Sequence, residues 1–146
     1  MYRNDGFREL DRQECLHRLA LADVGRVVFT HDALPAVLPV HFLIDRDGSV
    51  LLRTSAASEM AHAVDGSVVA FEVDRVDAAA NTGWSVVVTG LAAVVTDPAE
   101  WQRLTRSGPR SWLSWPAEIF VRIEPGLVTG RELLGGRTMY GVYVFT

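Results

Sequence analysis

The 146-residue chain is 49% hydrophobic and 22% charged, the balance of a folded protein with one core and not of a disordered one. A net charge of −4, with no Lys and no run of Arg, leaves out a Schiff-base lysine, a phosphate-loop lysine and a broad basic surface for nucleic acid. The single Cys15 excludes an internal disulfide and a cysteine-built metal site, and no apolar run is long enough to cross a bilayer.

One domain over residues 1–146 is therefore expected. The opening residues carry no signal-peptide pattern, which makes the cytoplasm the expected location. Residues 1–9 are polar and read as a loose arm. Asp11 and Glu14 then match a capping box, with Leu10 as a staple, and Leu16, Leu19 and Ala20 share one helical face to about Ala22, where Gly25 ends the run. Cys15 falls inside this helix as a small packed residue.

Residues 26–30 read as a strand, 31–34 as a turn, and 35–45 as a second strand in which Pro39 points to an edge. Asp47-Gly48 turns the chain into Val50-Leu51-Leu52, a strand ending at Arg53-Thr54. From Ser55 the Ala-rich run Ser-Ala-Ala-Ser predicts a helix. This joint gathers a guanidinium, hydroxyls and helix N–H groups, the elements of an anion site. The alternative is that Thr54 or Ser55 only caps the helix and Arg53 is a solvated strand end.

Residues 68–74 form a further expected strand, 75–83 a loop, and 84–95 the longest β-rich run, with Gly90 marking a bulge or bend. Asp97-Pro98 has the order of a helix start, and that helix fades near Ser107-Gly108-Pro109. Two strands follow at 118–124 and 127–133, and Met139 to Phe145 reads as a last strand or a partner-clasping tail. The expected fold is mainly β (α+β), an antiparallel barrel, closed or split, with a few short helices.

Four stretches carry more than pattern. They are Val24-Gly25-Arg26-Val27, Leu38-Pro39-Val40-His41-Phe42, Leu52-Arg53-Thr54 with its helix, and residues 69–74 followed by Gly83-Trp84-Ser85-Val86-Val87-Val88-Thr89-Gly90. In this order the chain resembles the pyridoxamine 5′-phosphate oxidase-like family of flavin-binding split barrels. The resemblance implies a homodimer with flavin mononucleotide (FMN) in a groove between subunits. It places the flavin phosphate at Arg53, Thr54, Ser55, Ser58 and Met60, and the ring along Pro39, Val40 and His41. Trp84 and Ser85 lie nearby, often from the partner chain.

Two positions depart from the family. Where its helix commonly reads Gly-x-Lys-Leu, this chain has Ala57-Ser58-Glu59-Met60, so a carboxylate stands where a phosphate-neutralising Lys is usual. His41 replaces a common Asn, and a neutral imidazole still donates and accepts one hydrogen bond. The Arg-His signature of a true pyridoxamine phosphate oxidase is missing, and Gly135-Gly136-Arg137 is a poor substitute. That specific activity is not expected.

Other residues read as structure. Trp84 by itself suits core packing, and Trp112 and Trp115 suit a cover over the barrel mouth, the dimer surface or a substrate pocket. His17, His31, His41 and His62 lack metal-ligand spacing. Glu72, Asp74 and Asp77 read as a solvated carboxylate cluster, and Ser58 and Ser85 lack a nucleophile elbow. No side chain stands out as a catalytic acid or base, as befits a flavoenzyme.

Three functions compete: an FMN-dependent oxidoreductase on a small organic molecule, a protein using the deazaflavin F420, and a non-enzymatic dimer whose flavin site has decayed. Glu59 favours the third, and the lack of Lys argues against F420. A homodimer is expected, with Tyr140, Tyr143 and Phe145 contributing to its interface. No nucleic-acid or membrane partner is expected.

Overall fold

The structure, a computed structural model, describes residues 6–109 and 117–134. Its elements are β1 (Phe7–Leu10), α1 (Arg12–Leu19), β2 (Val24–His31), β3 (Leu34–Ile44), β4 (Val50–Ser55), α2 (Glu59–Val64), β5 (Val68–Asp77), β6 (Thr82–Val94), α3 (Pro98–Ser107), β7 (Glu118–Ile123) and β8 (Leu127–Leu134). All strand pairings are antiparallel, in the order β1-β8-β6-β5-β2-β3-β4-β7. A further pairing of β6 with β7 closes six of these strands into a barrel and leaves β8 and β1 outside the ring. This is the split-barrel architecture the sequence predicts.

Closure depends on β6 serving two sheets. It pairs with β8 up to Thr89 and with β5 up to Leu91, and from Ala92 it pairs with β7. Gly90 stands at the change-over, where a Cβ would lie 1.7 Å from the Glu124 carbonyl oxygen. Only glycine allows that crossing, and the expected bend is there. Val27, Val40, Phe42, Val50, Leu52, Val69, Phe71, Val73, Val86 and Val88 fill the interior, one from every second position of their strands. Gly25 sits in β2 and not at a helix end. A Cβ there would meet the Phe71 ring at 2.3 Å, so the residue makes room for the core.

The helices cover what the strands leave open. In α1, Asp11 accepts a hydrogen bond from the Glu14 amide at 2.8 Å and Glu14 accepts one from the Asp11 amide at 3.0 Å. The helix stops at Leu19, three residues short of the expected end. It docks on β8 through buried Cys15 and Leu19 and through Glu132, which pairs with both Arg8 and Arg18. Burial pushes the Cys15 thiol pKa up, which fits a packing residue. Phe7–Leu10 is a strand on β8, so residues 7–9 are not part of a loose arm. The expected 75–83 loop is shorter too, because β5 and β6 stay paired out to Asp77 and Thr82, where Asp77 accepts from the Ala79 and Ala80 amides.

α3 starts at the Asp97 cap with Pro98 in its first turn. It lies over the outer side of β4 and β7, where Leu51, Leu104 and Phe120 form a second small core. Trp112, Trp115 and the stretch Met139–Phe145, with Gly135, Gly136 and Arg137, lie outside the described residues. Among the described residues no helix is long and apolar enough to cross a membrane.

Candidate functional site

The split lies between β3 and β4. Their pairing holds only at Phe42–Ile44 against Val50–Leu52. Val40-His41 and Arg53-Thr54 are the next residues on two strands that have parted. Alternation decides what each offers. Val40 and Phe42 point into the core beside Val50 and Leu52, so Thr54 points inward with them, while Pro39, His41, Arg53 and Ser55 face out. The sequence thus brings His41 and Arg53 to facing lips of one opening. The free edge of β3 along this lip is also what tolerates Pro39.

The joint after β4 differs from the expected helix start. Ser55 is still a strand residue, paired with Glu118 of β7, and Ala56 and Ala57 form a turn. α2 begins only at Glu59, with Ser58 as its cap accepting from the Ala61 amide at 3.0 Å. Thr54 donates to the Ser58 hydroxyl at 3.2 Å, and Ser55 accepts from the Ala57 amide at 3.2 Å. Thr54 and Ser55 are both buried, and their hydroxyls bind the turn together. The strand continues past Thr54 because β7 supplies a ladder partner out to Ser55. Local propensity carries no trace of that pairing.

Arg53 is neither a solvated strand end nor a bare cation. Its Nε and Nη2 contact one carboxylate oxygen of Glu118, and its guanidinium lies 5.4 Å from the centre of the Phe120 ring. Both members of the ion pair are largely shielded, with 23% and 17% of their side chains exposed. Glu59, by contrast, is 82% exposed and lies 3.8 Å from His31. Its carboxylate faces solvent. Met60 is 2% exposed and packs in the barrel core.

Trp84 and Ser85 point to opposite sides of β6. Trp84 packs on the end of the core with the Arg18 guanidinium 5.7 Å from its ring centre. Ser85 faces a groove of about 620 Å³ on the outer side, together with Phe7, Val87, Thr129 and Arg131. Within one chain Ser85 lies on the part of β6 that pairs with β5 and β8, away from the Ala92–Val94 end that meets β7 beside β4.

The carboxylate cluster is also rearranged. Arg26 reaches Glu72 at 3.1 Å and Asp74 at 3.2 Å on the outer face, while Asp77 is spent on its turn. Burial, then the hydrogen bond and charge of Asp74, push the Glu72 pKa from 4.5 up to about 7, against the pull of Arg26. Among the described residues no group of His, Cys, Asp and Glu could hold a metal ion.

With the geometry in place, the comparisons bear on it. The family model for pyridoxamine 5′-phosphate oxidase matches residues 11–132. The chain belongs to this family. Within the pyridoxamine 5′-phosphate oxidase family it is 47% identical over 134 residues to uncharacterized protein Rv0080 of Mycobacterium tuberculosis, covering 86% of this chain and 85% of that one. A conserved protein of unknown function from Corynebacterium diphtheriae superposes with a TM-score of 0.75 at 33% identity, over 88% and 99% of the two chains. The FAD binding protein from Mycobacterium smegmatis gives 0.67 at 29% identity, over 86% and 97%.

Sequence reasoning missed Glu118, Phe120 and Arg131. Arg131 was accessible in principle, since alternation along Leu127–Leu134 puts it on the face opposite Val128, which packs on the core. Glu118 was not, because its meeting with Arg53 follows from the β4–β7 register, which joins residues 65 apart.

Proposed function

We propose that this protein binds a flavin and works as an oxidoreductase on a small organic molecule, with the flavin held between two copies of the chain. The observation that carries this reading is the parted β3–β4 edge, with His41 and Arg53 on its two outward lips. The donors there suit the group: a guanidinium for a phosphate, an imidazole for a ring edge, and a Pro39 surface against which a flat ring can lie. Ser85 and its groove lie away from the split within one chain, so they join the site only from a partner subunit. That supports the homodimer. The FAD-binding relative from M. smegmatis supports flavin over F420 and leaves FMN and FAD both open.

A bound flavin supplies the electron transfer. The chain's own part is to seat the phosphate end at Arg53, support the ring at Pro39 and keep water from the inner face with Val40 and Phe42. Freshly purified protein should show the two-band visible absorption of oxidised flavin, and the mass of the released cofactor separates FMN, FAD and F420. Colourless protein that takes up none of the three on reconstitution would leave the decayed-site dimer in its place. Neutralisation of Arg53 by Glu118 is the feature that favours this second reading.

A further inference from the structure

This inference rests on the shared-site dimer proposed above and gives that dimer its register. We propose that two copies pack the outer faces of β2 and β5 together about a two-fold axis running along the strands between them, with Glu72 of each copy against Arg26 of the partner subunit.

Ser85 and His41 stand in one row across the outer face, with β5 and β2 between their strands. Ser85 is the register partner of Asp74 on β5, and His41 that of Val24 on β2. The Arg26–Glu72 pair, two positions along, sets Val24 and Asp74 side by side. A shared site needs Ser85 of one copy at the His41 lip of the other. When two sheets pack face to face, their two-fold axis lies in the plane of contact. It must then be the line midway between Ser85 and His41 and square to their row, which runs along the strands between β5 and β2. Aligned sheets about 10 Å apart are a common packing.

That axis fixes the other contacts. Glu72 meets Arg26 of the partner subunit, Val87 meets the partner's Pro39, Ala70 meets the partner's Val28 and Thr89 meets the partner's Val37. Only Ser85 and His41 set the axis, yet charge falls against opposite charge and the flanking contacts are apolar or nearly so. Within one chain Arg26 reaches both Glu72 and Asp74 through Nη1, and its side chain is 46% exposed. Its Nη2 and Nε are therefore placed for a carboxylate arriving from outside, and the axis brings Glu72 of the partner subunit there. A face that carries both signs side by side suits its own copy better than a partner of one charge.

The test is sedimentation equilibrium of the full-length protein at about pH 8.5, where Glu72, with its pKa of about 7, is ionised. Arg26→Glu and Glu72→Arg are made in separate chains. Each alone sets like charges across the axis and should dimerise at least about tenfold more weakly than wild type. Mixed one to one, they should form a heterodimer within about threefold of wild-type affinity, because opposite charges face each other again. Contacts inside one chain cannot be repaired by mixing, so folded variants that gain nothing when mixed overturn the proposal. A second measurement leaves the charges alone. Val37→Cys and Thr89→Cys chains, when mixed, should be joined by a short bismaleimide, and Val37→Cys chains by themselves much less, Cys15 being buried. Equal joining of Val37→Cys chains to one another overturns the proposal even where a charge variant fails to fold. Wild type that stays monomeric removes the dimer and this register together, whereas a wild-type dimer without complementation removes the register alone.

Discussion

Arg26, Glu72 and Asp74 show how three charged residues on an outer strand face differ from a solvated cluster. Two carboxylates share one guanidinium, and Glu72 holds its proton to about pH 7. The native state then binds more protons than the unfolded chain between 4.5 and about 7, so stability falls as pH rises through that window and the penalty is full above it. Glu72 is partly exposed, which reduces the cost to roughly 1 kcal/mol after screening. Glu72→Gln should stabilise the protein by about that amount at pH 8 and by almost nothing near pH 4, as read from urea unfolding at both pH values. A loss of stability at pH 8 would show that the Arg26 attraction outweighs the burial and the Asp74 contact.

At the scale of elements, the β2–β3 hairpin turns on Asp32 and Ala33, both left-handed, with φ of 51° and 64°. Two such residues make the turn whose twist matches the flanking strands, but a Cβ costs about 1–2 kcal/mol in this region. Ala33→Gly should relieve that strain, less the added freedom of the unfolded chain, for a net gain of about 0.5–1 kcal/mol in thermal or denaturant unfolding. An unchanged or lowered midpoint would place the turn in another conformation. Elements of this local kind were legible in the sequence: the Asp11 and Asp97 caps, the Asp47-Gly48 turn and the strand alternation all act over a few residues. The ends that were misread, at Ser55, Asp77 and Phe7, are each set by a partner strand. The site followed the same division. Its lips, His41 and Arg53, could be found from the chain, and the residue that neutralises Arg53 could not.

For the whole molecule, the decisive surface is the outer face of β3, β2, β5, β6 and β8. Pro39, Arg26, Glu72, Val87 and Thr129 lie in one row across these strands, and Val37, Val28, Ala70, Thr89 and Leu127 in another. Among the described residues no helix covers these rows, and Val37 and Leu127 are 62% and 59% exposed. Apolar rows around a cluster of mixed charge suit a second copy of the same face. Sedimentation at micromolar concentration should give a dimer, and Val37→Glu should weaken it by a factor of at least ten. A wild-type monomer under those conditions would remove the shared site together with the interface. The barrel itself makes a separate prediction. Gly90→Ala drives a methyl group into the Glu124 backbone, and it should cost several kcal/mol or abolish folding, judged by circular dichroism.

The pairing of β1 with β8 adds an order of events. Arg8 and Glu132 are hydrogen-bonded across 124 positions of sequence, so β1, the first described strand, has no ladder partner until the last described strand is complete. The hairpins β2–β3 and β5–β6 can form as soon as they emerge, but α1 packs on β8 and must wait with β1. A nascent chain halted before β8 would carry an unprotected β6 edge and a detached N-terminal segment, and it is at that stage that chaperones and proteases have the most to grasp.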